Sequence, residues 1–316
     1  MNTSFSRSVK DELARSPLPE QELEVAAELT AFLYTSGSVH IGGGESSLHI
    51  VSTHLPTVRR AFSLWQRGFG IRPVVIVARG AALNGQVSFR VRVRLDNATE
   101  SALRQMNLWQ EGRIRLEPGW MPPESDPSVR RAYLRGSFLG GGSMSDPNSG
   151  YHMEIRCHSK SNARCLRSIL VDLGIRAHVI AEGDGPLVYV KDGESASDFL
   201  RAVGASRALF RLEDIRIMKD LRNRINRLVN SETANMAKTI RASLNQLRDI
   251  ESLGPELREG LSSRTRELVE LRVRNPEASL RELGEMMQPP VSKSTVEYHF
   301  RKIHRLVSES GGIAGG

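Results

Sequence analysis

Residues 29–39 read LTAFLYTSGSV, and 105 positions further on residues 134–144 read LRGSFLGGGSM. Each is an apolar helical stretch that runs into Gly-Ser, and each opens the same succession downstream. An extended run follows, at residues 48–51 and 152–155. A helical stretch comes next, at 56–68 and 162–173, and both reach the tripeptides Gly70-Ile71-Arg72 and Gly174-Ile175-Arg176. Glycine at that place is a helix stop signal. Two β-rich runs then appear in each half, 74–78 with 87–95 and 177–181 with 187–191. Turn residues Asn84-Gly85 and Gly183-Asp184-Gly185 separate them. A short amphipathic helix closes each half, near 100–106 and 196–203. Two copies of helix, hairpin, helix, hairpin, helix argue for one pseudo-twofold α+β domain and against a solenoid.

Working outward, the repeats cover about 26–108 and 130–205 within a domain spanning 21–210, behind an N-terminal extension at 1–20. Residues 109–127, with four prolines, form the connector. From Leu212 the composition changes. Residues 215–228 and 231–250 read as polar helices, and residues 211–254 as a basic helical linker. Over 216–250, eight Lys and Arg face three acids, which leaves a net +5. Asn223, Asn226, Asn230 and Asn235 are poor helix formers. They read equally as partner-facing polar positions or as caps at a break near Asn230-Ser231.

Residues 255–310 then read as an all-α helix-turn-helix domain, followed by a disordered tail at 311–316. Its first helix is 265–274, with Leu268, Val269 and Leu271 apolar, ended by Asn275-Pro276. Ser279 and Glu282 have capping-box spacing and open a second helix over 280–287, with Leu280, Leu283, Met286 and Met287 as its apolar face. Pro289-Pro290 stops it. A third helix begins at Ser292 with Val296, Phe300, Ile303, Leu306 and Val307 inward. A helix of that kind reads the major groove with its N-terminal side chains. The expected DNA contacts are Ser292, Lys293, Ser294, Thr295, Tyr298, His299, Arg301 and Lys302. A second set is Arg90, Arg92 and Arg94, which alternate with Val91, Val93 and Leu95 and so share one sheet face.

Composition agrees with a polyanionic partner: 316 residues, net charge +8, isoelectric point near 9.9. Cys157 and Cys165 have no metal-ligand spacing and read as two half-buried thiols, so neither metal nor cofactor is expected. No apolar run of about 18 residues occurs, which places the chain in the cytoplasm, on the nucleoid, with no membrane partner.

Residues 29–37 and 134–142 resemble the LAGLIDADG motif of homing endonucleases. The resemblance implies that the two motif helices pack together, with Ala31 and Gly136 at the small positions. It also implies a metal-binding acid at the penultimate position of each motif. Those positions here are Ser36 and Gly141, which carry no charge, so the chain is not expected to be an enzyme. Glu45 and Asp146 are the nearby acids that could substitute.

Over residues 4–308 the chain resembles the WhiA family of sporulation and cell-division regulators. The resemblance rests on Ser4-Phe5-Ser6, on Tyr133 to Phe138, and most of all on residues 220–230 (DLRNRINRLVN) with Glu232 to Asn235. It implies sequence-specific binding to promoter DNA and transcription regulation of cell-division and sporulation genes. It also implies a WhiB-like iron-sulfur regulator and RNA polymerase as partners. Three rivals stand beside this reading: a divergent metal-dependent endonuclease, a protein- or ligand-binding platform in the N-terminal domain, and a nucleoid-packing protein of low specificity.

Overall fold

A computed structural model describes residues 4–42, 45–79, 87–117, 122, 126–181 and 185–311. The chain divides into two compact units, Met1–Lys219 and Asp220–Gly316.

The first unit opens with α1 (Phe5–Arg15), capped by the Ser4 hydroxyl, which accepts from the Arg7 amide. Phe5, Val9 and Leu13 lie on one stripe of α1 and are fully buried in the main core. The segment read as an extension is therefore part of that core. Each such apolar side chain contributes about 1.5–3 kcal/mol on leaving water.

The first repeat is α2 (Glu22–Ser36), β1 (Gly37–Gly42), β2 (Glu45–Ser52), α3 (Leu55–Phe69), β3 (Val74–Arg79), β4 (Val87–Arg94) and α4 (Asn97–Gln105). The connector carries a small hairpin, β5 (Trp109–Gln110) and β6 (Arg113–Ile114), for which proline content gave no signal. The second repeat is α5 (Pro127–Gly141), β7 (Gly142–Met144), β8 (Met153–Arg156), α6 (Lys160–Asp172), β9 (His178–Ile180), β10 (Leu187–Val190) and α7 (Gly193–Val203). The antiparallel sheets run β1-β2-β4-β3 and β7-β8-β10-β9, the same order twice. Gly70 and Gly174 end α3 and precede β9 at φ +67° and +78°, the left-handed region their stop role requires. Residues 84–85 and 183–184, read as turns, lie outside the described residues; Gly185 has φ +108°.

Helices α2 and α5 pack against each other at the centre of the unit. At Gly136 a Cβ would overlap the Glu28 carbonyl oxygen and stand 3.0 Å from the Ala31 Cβ. The small pair named from sequence is thus where the two backbones meet. Cys157 and Cys165 are buried at 8% and 6% exposure, not half-buried, and burial pushes the Cys157 thiol up to about 12.

The two polar helices expected beyond residue 212 are one, α8 (Ser206–Glu251). There is no break at Asn230-Ser231: Asn223, Asn226, Asn230 and Asn235 all sit exposed within it. Low intrinsic propensity, a few tenths of a kcal/mol per residue, does not end a helix this long.

In the second unit α9 (Pro255–Glu259) precedes α10 (Ser263–Arg274), α11 (Leu280–Met286) and α12 (Lys293–Gly311). The capping box forms: Ser279 Oγ accepts from the Glu282 amide and the Glu282 carboxylate accepts from the Ser279 amide. Leu268, Leu283, Met287, Val296, Phe300 and Ile303 fill the core with Ile250, Leu253 and Leu261. Met286, expected inside, is 45% exposed. Helix α11 ends there, and Met287, already extended at ψ 154°, turns inward in its place. Gly311 closes α12 and so is helical; the rest of the tail, 312–316, lies outside the described residues.

Candidate nucleic-acid interface

Each motif helix ends where its strand begins, at Ser36 before β1 and at Gly141 before β7. The Ser36 hydroxyl donates to the Phe32 carbonyl at 3.0 Å and is spent within its own helix. At Gly141 a Cβ would overlap the Arg156 carbonyl oxygen and press on the Thr35 Cβ at 3.2 Å. The position therefore has no room for a carboxylate. Neither substitute acid is free. Glu45 pairs with Arg94 Nη2 at 3.1 Å, and Asp146 accepts from the Asn148 amide at 2.9 Å, a bond that holds its carboxyl below the usual range. Among the described residues no group of three or more His, Cys, Asp or Glu could hold a metal ion. The residues at these helix ends do not fit a divalent cation, which needs hard oxygen ligands.

The outer face of the first sheet is cationic. Pairing of β4 with β2 sets Arg94 opposite Ser47, Arg92 opposite His49 and Arg90 opposite Val51. Alternation places all three arginines on the outer face, while Val91 and Val93 are buried beneath. Arg92 and Arg94 are exposed and Arg90 is half-buried. On the same face the rings of His40 and His49 stack at 4.0 Å. The His49 ring meets the Ser47 hydroxyl at 2.9 Å. Burial, then His40, Arg90 and Arg92, lowers the His49 pKa to about 4. A groove of about 470 Å³ runs between His40, Glu45, Arg72, Arg92 and Arg94.

The matching face of the second sheet is chemically different. Glu154 sits at its centre, accepting from the Ser143 hydroxyl at 3.1 Å with His152 Nε2 at 3.4 Å. Tyr189 stacks on His178 at 5.4 Å, and Lys191 Nζ lies 4.8 Å from its ring centre. Sequence reasoning picked out no residue here, because the strands are only three or four residues long and carry no charge alternation.

In the second unit α11 and α12 form the two-helix element. Val291 N–H donates to the Gly284 carbonyl at 2.9 Å and sets the turn between them. The Ser292 hydroxyl accepts from the Thr295 amide and starts α12. Ser292, Lys293, Ser294, Tyr298, Arg301 and Lys302 are exposed, and Thr295 is half-buried. Tyr298 is 64% exposed, a large aromatic side chain standing in solvent. Arg301 reaches back to Glu297 at 2.6 Å. His299 departs from the group: its Nδ1 meets the Thr265 hydroxyl at 3.0 Å, so the ring is turned toward α10. Burial, with Lys302 and Arg264 nearby, lowers its pKa.

Family models described as "WhiA N-terminal LAGLIDADG-like domain", "WhiA LAGLIDADG-like domain" and "WhiA C-terminal HTH domain" match residues 23–109, 130–222 and 225–307. A "Probable cell division protein WhiA" from Thermoanaerobacter sp. (strain X514) is 39% identical over 311 residues, 96% of each chain. The chain belongs to the WhiA family. The WhiA of Clostridium botulinum (strain Hall) is 33% identical over 310 residues, 97% of this chain and 98% of that one. The full-length WhiA crystal structure from Thermatoga maritima shares the fold at TM-score 0.59 and 24% identity, over 97% of this chain and 99% of that one. The WhiA fold is thus a LAGLIDADG-like domain followed by a helix-turn-helix domain.

Within this WhiA chain, two polar side chains hold the architecture and were not anticipated as doing so. Glu12 on α1 accepts from the Arg207 and Ala208 amides at 2.8 and 3.0 Å, capping α8 across 195 residues of sequence. Arg272 is fully buried and donates to the carbonyls of Ala278 at 2.6 Å and Pro276 at 3.2 Å, with Phe300 stacked at 5.6 Å. It fixes the α10–α11 turn. An arginine one residue after an apolar one in a basic helix gives no sign of burial by itself.

Proposed function

We propose that this WhiA-family chain is a sequence-specific regulator that binds promoter DNA through α12 and does not cut it. The observation that carries the reading is the exposed N-terminal end of α12, where Ser292 before the helix, Lys293 and Ser294 in its first turn and Tyr298 in its second stand free of the core that Val296, Phe300 and Ile303 anchor. Side chains so placed reach base edges, while the amide groups of the helix start serve a phosphate. Arg90, Arg92 and Arg94, together with the cations of α8, add phosphate contacts and raise the local concentration of the reading helix on DNA. The closed position at Gly141 and the spent hydroxyl at Ser36 support a domain that grips without hydrolysis.

The genes served would be those of cell division, the process named for the Thermoanaerobacter and Clostridium relatives, and of sporulation where the host sporulates. A WhiB-like iron-sulfur regulator and RNA polymerase would be its partners there, and the nucleoid its place. No helix among the described residues is long and apolar enough to cross a membrane.

Genome-wide occupancy mapping, followed by footprinting of the full chain on the sites found, tests the reading. A specific site should be held about 10³-fold or more over random duplex at physiological salt. Uniform coating of DNA would favour a packing protein, and Mg²⁺-dependent nicking at enzyme excess would favour a nuclease.

A further inference from the structure

Helix α8 carries an uncovered apolar stripe within the second unit. Leu221, Ile225, Leu228, Val229, Met236 and Ile240 are 49–65% exposed, and every residue from 220 to 238 is exposed. At 100° per residue they form two neighbouring rows four residues apart, 221-225-229 and 228-232-236-240-244, interrupted only by Glu232. Soluble proteins rarely leave so many large aliphatic groups contiguous on one helix without a partner for them. The stripe ends at Leu244 in a groove of about 560 Å³ bounded by Pro276, Glu277 and Glu282.

The chemistry of the stripe selects its occupant. Rows four residues apart are the ridges that another helix interlocks with. The aliphatic character points away from a lipid surface, since no Trp, Phe or Tyr occurs between Phe210 and Tyr298. Arg222 and Arg224 flank the rows on opposite sides. Over 220–244, Arg222, Arg224, Arg227, Lys238 and Arg241 against Asp220 and Glu232 give five minus two, a net +3. A second copy would set +3 against +3, which disfavours self-pairing.

We propose that the 221–244 stripe docks an amphipathic helix of another protein whose apolar face is edged by carboxylates. The carboxylates lie along Arg222 on one side and Arg224 on the other. The partner's other end, seated in the groove beside Glu277 and Glu282, is apolar or cationic, and this fixes its direction. The inference does not depend on DNA binding.

The test uses the full chain and two synthetic amphipathic helices with one leucine face, one edged by glutamate and one by lysine. Fluorescence anisotropy at physiological salt should show the glutamate peptide binding at least about tenfold tighter. The triple substitution Leu221→Gln, Ile225→Gln, Leu228→Gln keeps every charge and should weaken it by about tenfold or more. Its unfolding midpoint should not move, because these side chains are exposed; the pair Met236→Gln, Ile240→Gln gives an independent second variant. Equal peptide binding by wild type and both variants would reduce the effect to charge and overturn the proposal. So would a wild-type dimer in light scattering that the triple variant loses, or wild-type retention on phosphatidylglycerol vesicles that the variant loses.

Discussion

Arg135 on α5 donates from Nε to Glu28 Oε2 on α2 at 3.1 Å, across the seam between the two repeats. Glu28 is fully buried and is held from its own repeat by Arg60, whose Nη2 lies 3.1 Å from the same oxygen. One carboxylate thus serves two guanidiniums at the point where the α2 and α5 backbones converge.

Glu28→Gln should therefore destabilise the protein by roughly 3–5 kcal/mol, because it leaves the buried Arg60 without its counter-charge. Denaturant unfolding of the full chain would measure this. A loss below about 1 kcal/mol would mean that Arg60 is satisfied by the Ser16 and Pro17 carbonyls it also reaches.

Restoring an acid to the motif should not restore a nuclease. Gly141→Asp drives a side chain into the Arg156 carbonyl and Thr35, and should lower the thermal midpoint by several degrees for a loss of about 1–3 kcal/mol. Ser36→Asp, at a half-buried site, should be milder. Plasmid nicking by the double variant with Mg²⁺ would count against the inactive reading of the site.

The DNA contact proposed for α12 makes a separable prediction. Ser294→Ala and Tyr298→Ala should relax sequence preference, with each lost base contact costing about 1–3 kcal/mol of discrimination. Lys293→Ala should weaken binding to all sequences alike and reduce the salt slope by about one. Salt titrations on specific and random duplexes distinguish the two. His299→Asn should act chiefly on stability, since that ring faces Thr265.

The repeat was legible because both motif helices run into Gly-Ser and both halves then reach Gly-Ile-Arg, at residues 70–72 and 174–176. The arginine face was legible because strand alternation is local. Glu12 capping α8 was not, because the donor amides lie 195 and 196 residues away and any exposed helix shows glutamates. The burial of Arg272 is silent in the sequence for the same reason: its acceptors are backbone carbonyls, which have no sequence signature. The continuity of α8 does not show in asparagine preference taken one residue at a time, because helix formation is cooperative over many turns.

Arg272→Met should loosen the α10–α11 turn and cost about 2–4 kcal/mol, from three lost carbonyl partners and a vacated site against Phe300. Differential amide exchange should localise the loss to residues 263–290. An unchanged exchange pattern would contradict the role given to this arginine.

Stability should also fall on mild acidification through His49. Its folded pKa, near 4, lies below the unfolded value of 6.5, so between these values the unfolded chain takes up the extra proton. Stability is complete above about pH 6.5, declines as pH falls, and levels off near pH 4, for a total on the order of 2–3 kcal/mol. His49→Gln should flatten that part of the profile in thermal melts from pH 4 to 7; a parallel profile would show that other groups govern it.

The two sheets repeat one backbone plan but not one chemistry: arginines and stacked imidazoles on the first, Glu154 with Tyr189 on the second. Two chemically identical faces would offer the same binding surface twice. Here one half carries guanidinium groups and the other a carboxylate, so the two halves present unlike chemistry. The duplicated backbone is therefore not a duplicated surface, and the two halves of the domain are open to partners of opposite charge.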